Sequence, residues 1–215
     1  MKNFFYKVNN QEYEVVVIPK KIRNYHYRFK DGKFVISVPI FYSKATIYKG
    51  LDQFAESLIK RSTKPTPSNE NGMYLFGKFY ELNYPGKITL DGKELSYKDN
   101  DELLTKLKPI FLDFISKKVR YYEKIMKVDS YKVRVQQMKS RYGSNSKQTK
   151  TLNFNLNLIH YDVEVIDSVI VHELAHCKVF NHSKEFYDVV YQYCPNYQKC
   201  RKMLNKGIYH AESNH

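Results

Sequence analysis

The segment VIVHELAHCKVFNHSKEF, residues 169–186, contains the pattern from which the rest of this sequence is best interpreted. It includes H-E-x-x-H, formed by His172, Glu173 and His176. Residues four apart share one face of a helix, so both histidines can offer ring nitrogens to one metal ion. In this motif the histidines bind Zn²⁺ and the glutamate is the general base of a metalloprotease. The pattern therefore predicts a metal site on a helix.

The residues before and within the motif are largely apolar, as expected for a helix buried in a core. An unpaired charge is costly in such a position, so two histidines and a glutamate there indicate a bound partner. Asp162 is the predicted N-cap of this helix. The helix is expected to end near Phe180 and Asn181, because Asn commonly ends helices.

His182 is the predicted third ligand, because catalytic zinc typically keeps three protein ligands and leaves the fourth position to water. A helix continued to residue 182 would rotate this side chain away from His176, so the chain must turn back first. Ser183 is then a plausible N-cap for a helix through Tyr193, closed by Cys194 and Pro195. A buried helix with merely hydrogen-bonded histidines is the alternative, but three histidines and a glutamate within eleven residues argue against it.

Three segments together resemble the YgjP-like (DUF45) metal-dependent hydrolases, which are relatives of the SprT-like and WLM zinc proteases: RYGSN at 141–145, TLNFN at 151–155, and residues 165–190 around the motif. The resemblance extends over essentially the whole chain and is strong from residue 139 to 204. It implies one Zn²⁺ per chain, held by His172, His176 and His182, with Glu173 as the catalytic base. Tyr142 and Asn145 stand where the family usually has Trp and often has Cys, and the three-histidine arrangement requires neither.

The candidate substrate contacts are less sharply defined. Residues 151–158 alternate apolar and Asn side chains, which predicts a strand. By resemblance this strand is expected at a sheet edge beside the cleft, where Asn153 and Asn155 would contact an extended substrate by β-augmentation. An ordinary half-exposed strand explains the asparagines equally well. Three residues are candidates for stabilising an oxyanion, by residue type alone: Arg141, Tyr142 and Tyr187. Arg141 and Tyr187 are also predicted substrate contacts.

The whole chain is predicted to be an α+β protein with a β-rich part, residues 1–98, and a zincin-like metallopeptidase core, residues 99–215, forming one family unit. The core is expected to combine a long helix, a small antiparallel sheet, the motif helix and C-terminal helices. The predicted elements are strand 13–18, hairpins 25–38, 73–84 and 87–97, helix 46–61, polar loop 62–72, helix 101–126 with a candidate kink at Pro109, strand 131–138, polar loop 140–150 with a turn at 147–150, and a last helix at 196–205.

Composition bounds the environment of the protein. No apolar run approaches the ~20 residues of a membrane span, and the start resembles no signal peptide. The three cysteines predict reduced thiols in a cytoplasmic protein, and Cys177 is expected to pack rather than bind metal, because it points away from the histidine face. His26 and His160 are not counted as ligands, and His210 and His215 are assigned to a polar tail.

The net charge of +14 and a pI of about 9.4 predict attraction to polyanions, nucleic acid first. The 36 basic residues are nevertheless scattered, and AT-rich coding would also explain their number. The leading hypothesis is a zinc-dependent peptidase acting on peptides or proteins. Two alternatives stay open: a protease that clears protein from DNA, and a non-catalytic zinc or nucleic-acid-binding module. Glu173 argues against the last, because a structural site needs a fourth protein ligand and no base.

Overall fold

The computed structural model describes residues 2–62, 65–90 and 92–210, which form two compact units, Met1–Lys64 and Pro65–His215. This boundary differs from the predicted one between residues 98 and 99. The hairpins that follow residue 65 belong to the second unit because their apolar side chains join its core: Met73, Leu75, Leu82, Ile88 and Leu90. Asp91 of the predicted 87–97 hairpin and His215 lie outside the described residues.

The first unit is a four-stranded sheet followed by one helix: β1 (Lys2–Val8), β2 (Gln11–Lys20), β3 (His26–Lys30), β4 (Lys33–Pro39) and α1 (Lys44–Ser62). The strand order is β1-β2-β4-β3, with β2 and β4 parallel. Asp31 and Gly32 form the β3–β4 turn with φ of 51° and 75°, which suits the Asp-Gly pair predicted there. Its core includes Val15, Phe34 and Ile36, all fully buried.

The second unit contains the remaining elements: β5 (Ser68–Asn69), β6 (Gly72–Leu75), β7 (Lys78–Glu81), β8 (Gly86–Leu90), β9 (Lys93–Tyr97), α2 (Asn100–Met126), β10 (Lys132–Gln136), β11 (Gly143–Ser146), β12 (Thr151–Asn155), a 3₁₀ helix (Leu156–His160), α3 (Val163–Ala175), α4 (Lys184–Tyr193) and α5 (Tyr197–Lys206). The α+β class and the β-rich first half are confirmed. Within the described ranges, no helix combines the length and apolar composition that a membrane span requires. The three cysteines are free thiols.

Helix α2 forms the long support of the second unit and runs unbroken through Pro109. Asp99 caps its N-terminus by accepting a hydrogen bond from the Glu102 amide at 2.8 Å. At the other end the buried carboxyl of Glu123 pairs with Arg120 and accepts the amide hydrogen of Tyr131 at 2.7 Å. This contact fixes the end of α2 to the residue before β10, and so sets where the next sheet begins.

The sheet β10-β12-β11 differs from the predicted antiparallel sheet, because β12 pairs in parallel with β10 and antiparallel with β11. Strand β12 is therefore central, and the expectation that it forms the sheet edge was wrong. It also ends at Asn155, where the side-chain oxygen accepts the amide hydrogen of Asn157 at 3.1 Å and starts the 3₁₀ helix. The last three residues of the predicted 151–158 strand lie in that helix. An edge strand, β11, was instead predicted as part of a polar loop.

Candidate active site

Helix α3 carries the motif but ends at Ala175, five residues before the predicted end at Phe180. The amides of Cys177 and Lys178 bond to carbonyls three residues earlier, which tightens the last turn and releases the chain. His176 keeps right-handed helical angles as the C-cap, so it stays on the face of His172. Asp162 occupies the predicted N-cap position without a side-chain cap hydrogen bond.

The early release of α3 brings His182 back to the two motif histidines. Nε2 of His182 lies 3.3 Å from Nε2 of His172. The ligand atoms of all three histidines lie within 4.8 Å of one another, and the group could hold a metal ion. The ring centroids form a triangle with sides of 4.8, 5.0 and 5.1 Å. The structure therefore brings together all three predicted ligands.

Helix α4 supplies the aromatic ring on which the histidines rest. It begins after Ser183 and ends at Tyr193, as the sequence predicts. Phe186 in its first turn is fully buried. The Phe186 centroid lies 5.0, 4.6 and 4.8 Å from the His172, His176 and His182 centroids respectively. One rigid ring thus contacts all three imidazoles.

Tyr197, the first residue of α5, fixes the orientation of His172. Its hydroxyl lies 2.8 Å from His172 Nδ1. When that nitrogen carries the proton and donates to the Tyr197 oxygen, Nε2 keeps its lone pair and faces His182. A partner on the second ring nitrogen is the usual way in which proteins orient a metal-binding histidine.

The environment of His172 and His176 favours their neutral forms, which are the forms that bind metal. Burial, followed by the charges of His176, His182 and Arg201, lowers the pKa of His172 to about 3. Burial also lowers the pKa of His176, and the charge of His182 adds to that effect. His172 therefore keeps a free lone pair at neutral pH.

One nitrogen–nitrogen distance within the three histidines matches that of a tetrahedral metal site. With Zn–N bonds of about 2.0–2.1 Å, two nitrogens of a tetrahedral site lie about 3.3 Å apart. The Nε2 atoms of His172 and His182 have this separation. An N–H···N hydrogen bond would also explain that distance for two rings, but it would not require the third ring, His176, to converge on the same point.

Glu173 lies beside the histidines with its carboxyl group buried, its residue being 6% exposed. Burial raises the pKa of Glu173 to about 7, and the positive charge of Arg141 opposes the rise. Strand β11 passes directly over this carboxyl group at Gly143, where a Cβ would lie 2.5 Å from Oε1. The Asn145 amide in the same strand donates to the Glu173 backbone carbonyl at 2.7 Å, which satisfies an acceptor in the last turn of α3.

A cavity of about 230 Å³ opens onto Glu173 and His172, between β11 and α5. Its other lining residues are Arg141, Tyr142, Gly143, Val169, Tyr197, Arg201, Leu204 and Asn205. A larger cavity of the second unit, about 770 Å³, is lined by none of the three histidines nor by Glu173. The chemistry of the side chains, rather than cavity size, therefore identifies the smaller cavity as the candidate active site.

The predicted substrate residues divide into two pairs. Arg141 lines the cavity, and the ring of Tyr187 lies 6.4 Å from that of His182. Asn155 is buried, and its amide donates to the carbonyls of Met138 and Arg141 at 2.8 and 2.9 Å. Asn153 is half-buried in β12 with its amide 3.4 Å from Ser144 Oγ, and it does not line the cavity. The asparagines thus connect β12 to β11 and to the loop before it, and neither lines the cavity.

Sequence reasoning missed several residues of the site: Gly143, Phe186, Tyr197 and Arg201. Phe186 was within reach of sequence analysis, because it follows His182 by four residues at the start of a predicted helix. Gly143 lies in the RYGSN segment, but nothing in that segment indicates a contact with Glu173, and no local pattern marks Tyr197 or Arg201 as site residues.

A family model described as YgjP-like, metallopeptidase domain, matches residues 7–207. No curated protein matches the sequence. The metallopeptidase zymogen jannalysin of Methanocaldococcus jannaschii is similar at 26% identity and a TM-score of 0.38, over 44% of this chain and 97% of that one. The zymogen abylysin of Pyrococcus abyssi shows 19% identity and a TM-score of 0.37 over the same shares. With TM-scores this low, neither structure adds to the interpretation of the fold.

Proposed function

The chain belongs to the family of YgjP-like metallopeptidases, and on that basis we propose that it is a zinc-dependent peptidase. The proposed ligands of one Zn²⁺ per chain are His172, His176 and His182, and the proposed general base is Glu173. The observation that supports this most strongly is the convergence of three imidazoles within 4.8 Å, next to a buried carboxyl group in the same helix. Three histidines with an open position are a common ligand set of catalytic zinc.

When bound, the zinc ion supplies Lewis acidity, which polarises the scissile carbonyl and lowers the pKa of water toward neutrality. Glu173 accepts a proton from the attacking water on its carboxylate. It then delivers that proton to the amine nitrogen as the C–N bond breaks, so that a carboxylic acid and an amine leave the site. A pKa of about 7 allows Glu173 to accept and release the proton at neutral pH.

An extended substrate is proposed to pair with β11 rather than with β12. Strand β11 is an edge of its sheet, and Gly143 brings its backbone against the Glu173 carboxyl group. Backbone hydrogen bonds along an exposed strand edge are a general way to hold a peptide in extended form. Such pairing would carry the scissile bond past Glu173 and His172.

Metal content measured by elemental mass spectrometry tests the proposal. We expect about one zinc per chain in the wild type and a loss of zinc in His182→Ala, because two histidines alone leave the site with too few ligands. His26→Ala is the matched control, since His26 is an exposed histidine of the first unit. Zinc retained in His182→Ala would remove that residue from the ligand set. No zinc after loading, together with no peptide hydrolysis, would contradict the proposed function.

A protease acting on protein bound to nucleic acid is the second candidate, and the distribution of charge favours it. Residues 1–64 contain 13 Lys and Arg against 5 Asp and Glu, so the first unit holds more than half of the excess positive charge. Cleavage of a model substrate should then rise when DNA is added, and the stimulation should fall steeply with salt. Cleavage that is indifferent to DNA at low salt would leave the peptidase without this role.

A further inference from the structure

Two arginines from separate segments line the cavity that contains His172 and Glu173. Arg141 lies just before β11, Arg201 lies on α5, and both are exposed. Neither forms an ion pair with any residue in the described ranges. Both cavity-lining arginines are therefore without an acidic partner among the residues that the structure describes.

The cavity has an unbalanced charge. Glu173 is the one carboxyl group among its lining residues, against the two arginines. Helix α5 adds Lys199, Lys202 and Lys206 on a neighbouring surface and has no acidic residue. Clefts lined by one sign of charge concentrate ligands of the opposite sign.

Guanidinium groups recognise carboxylates by geometry as well as charge, because their planar fork can donate two parallel hydrogen bonds to the two oxygens. We propose that Arg141 and Arg201 bind a carboxylate of the substrate, so that the enzyme selects peptide bonds close to an acidic side chain or to a carboxyl terminus. This inference rests on the proposed peptidase function and specifies its substrate class.

A role for these arginines in stabilising the oxyanion predicts a different result. An oxyanion forms on every peptide substrate, so its loss would lower kcat for acidic and neutral peptides alike. Recognition of a substrate carboxylate affects only those peptides that carry one, and it affects KM or Kd rather than kcat. The charge of the peptide therefore separates the two roles.

The test uses four peptides of one sequence, each labelled at its amino terminus with an uncharged BODIPY dye, with Glu or Gln beside the central bond and with a free or amidated carboxyl terminus. Their Kd values are measured by fluorescence anisotropy on zinc-loaded Glu173→Gln protein, which prevents turnover, with and without Arg141→Gln or Arg201→Gln. Lys206→Gln is the matched control, because it removes the same charge from α5 outside the cavity.

We expect peptides with a carboxylate to bind roughly 10-fold or more tightly than the fully neutral peptide, as for other hydrogen bonds to charged groups. Each arginine variant should remove most of that preference and leave the neutral peptide unchanged, while Lys206→Gln should change all four by less than about 2-fold. If the arginine variants weaken binding of the peptide with Glu, the recognised carboxylate is a side chain. If they weaken binding of the peptide with a free terminus, it is the carboxyl terminus.

The inference would be overturned if Glu173→Gln protein with both arginines intact bound all four peptides equally. It would also be overturned if each arginine variant weakened the binding of all four peptides equally. Hydrolysis of the same peptides by the zinc-loaded wild type is measured in parallel, so that failure of the inference can be distinguished from failure of the proposed function. Cleavage without a carboxylate preference would leave the peptidase and reject the inference. Carboxylate binding through the two arginines without any cleavage would support the inference and reject the peptidase.

Discussion

The histidine side and the glutamate side of the site lie next to each other, but they are surrounded by different kinds of groups. The histidines are enclosed by rings, with Phe186 in contact with all three and Tyr197 on Nδ1 of His172. Glu173 is enclosed by backbone and charge, with Gly143 against its carboxyl group and two arginines across the cavity. The first environment orients neutral nitrogens, and the second sets the pKa of an acid.

This difference separates two properties that a metallopeptidase needs. Rings hold the ligands in position, so the histidine side should determine metal affinity. Packing and charge around Glu173 should determine proton transfer and access of the substrate, with little effect on metal affinity. Substitutions on one side are therefore expected to spare the property of the other, and each prediction below can contradict this separation.

The largest effect is expected for Glu173→Gln, which keeps the shape of the side chain and removes the base. Peptidase kcat/KM should fall by about 10²–10⁴-fold, the usual contribution of general acid–base catalysis. Zinc content should stay at the wild-type level, measured on the same preparation. Glu164→Gln in the first turn of the same helix is the control and should keep activity. Loss of zinc in parallel with activity would show that the two sides are not separable.

Gly143→Ala is expected to have the next largest effect. Its Cβ would lie 2.5 Å from Glu173 Oε1 and 2.8 Å from Cγ, so the buried carboxyl group must shift. A displacement of about 1 Å from the reactive position can lower kcat by up to about 10²-fold. Steady-state kinetics and zinc content on Gly143→Ala, with Ser144→Ala as its neighbour control, would measure this. Wild-type kcat in Gly143→Ala would mean that the position of Glu173 does not limit the reaction.

The histidine side could be predicted from the sequence, whereas most of the glutamate side could not. His172 and His176 share a helix face by spacing alone, and His182 follows within one turn and a loop. Helices α2, α4 and α5 follow from their apolar spacing and capping residues, and their ends agree with the predicted ones to within one residue. These features depend on residues close in sequence.

The glutamate side depends on contacts between segments that are distant in sequence. Strand β11 reads Gly-Ser-Asn-Ser, which has no apolar alternation, so only its pairing with β12 makes it a strand. The place of β12 in the centre of the sheet depends on its parallel pairing with β10, which no local pattern specifies. Gly143 reaches the site through this sheet, and Arg201 reaches it through the packing of α5 against α3.

Tyr197→Phe tests the histidine side by removing the hydroxyl that lies 2.8 Å from His172 Nδ1 and leaving the ring in place. Loss of such a partner typically lowers metal affinity by about 10–100-fold. Competition with a zinc-chelating dye measures this, and kcat at saturating zinc should stay near the wild-type value. Tyr191→Phe is the control, because its hydroxyl accepts from Gln198 rather than from a histidine. Unchanged zinc affinity in Tyr197→Phe would remove Tyr197 from the metal side.

The smallest expected effect is that of Glu173→Gln on the free energy of unfolding. It separates the effect of the charge of Glu173 from the effect of its packing. The folded pKa of about 7 lies above the ordinary 4.5, so the stability that this group contributes is fully present below pH 4.5 and is lost as pH rises through 7. In metal-free protein at pH 8, Glu173→Gln should therefore be more stable than the wild type by on the order of 2 kcal/mol, as measured by urea unfolding. The difference in free energy of unfolding between the two proteins should vanish near pH 4.5. The lowered pKa of His172 has the opposite effect on stability, but it is common to both proteins and cancels. A gain that is equal at both pH values would mean that packing of the amide, rather than the cost of the buried carboxylate, distinguishes the two proteins.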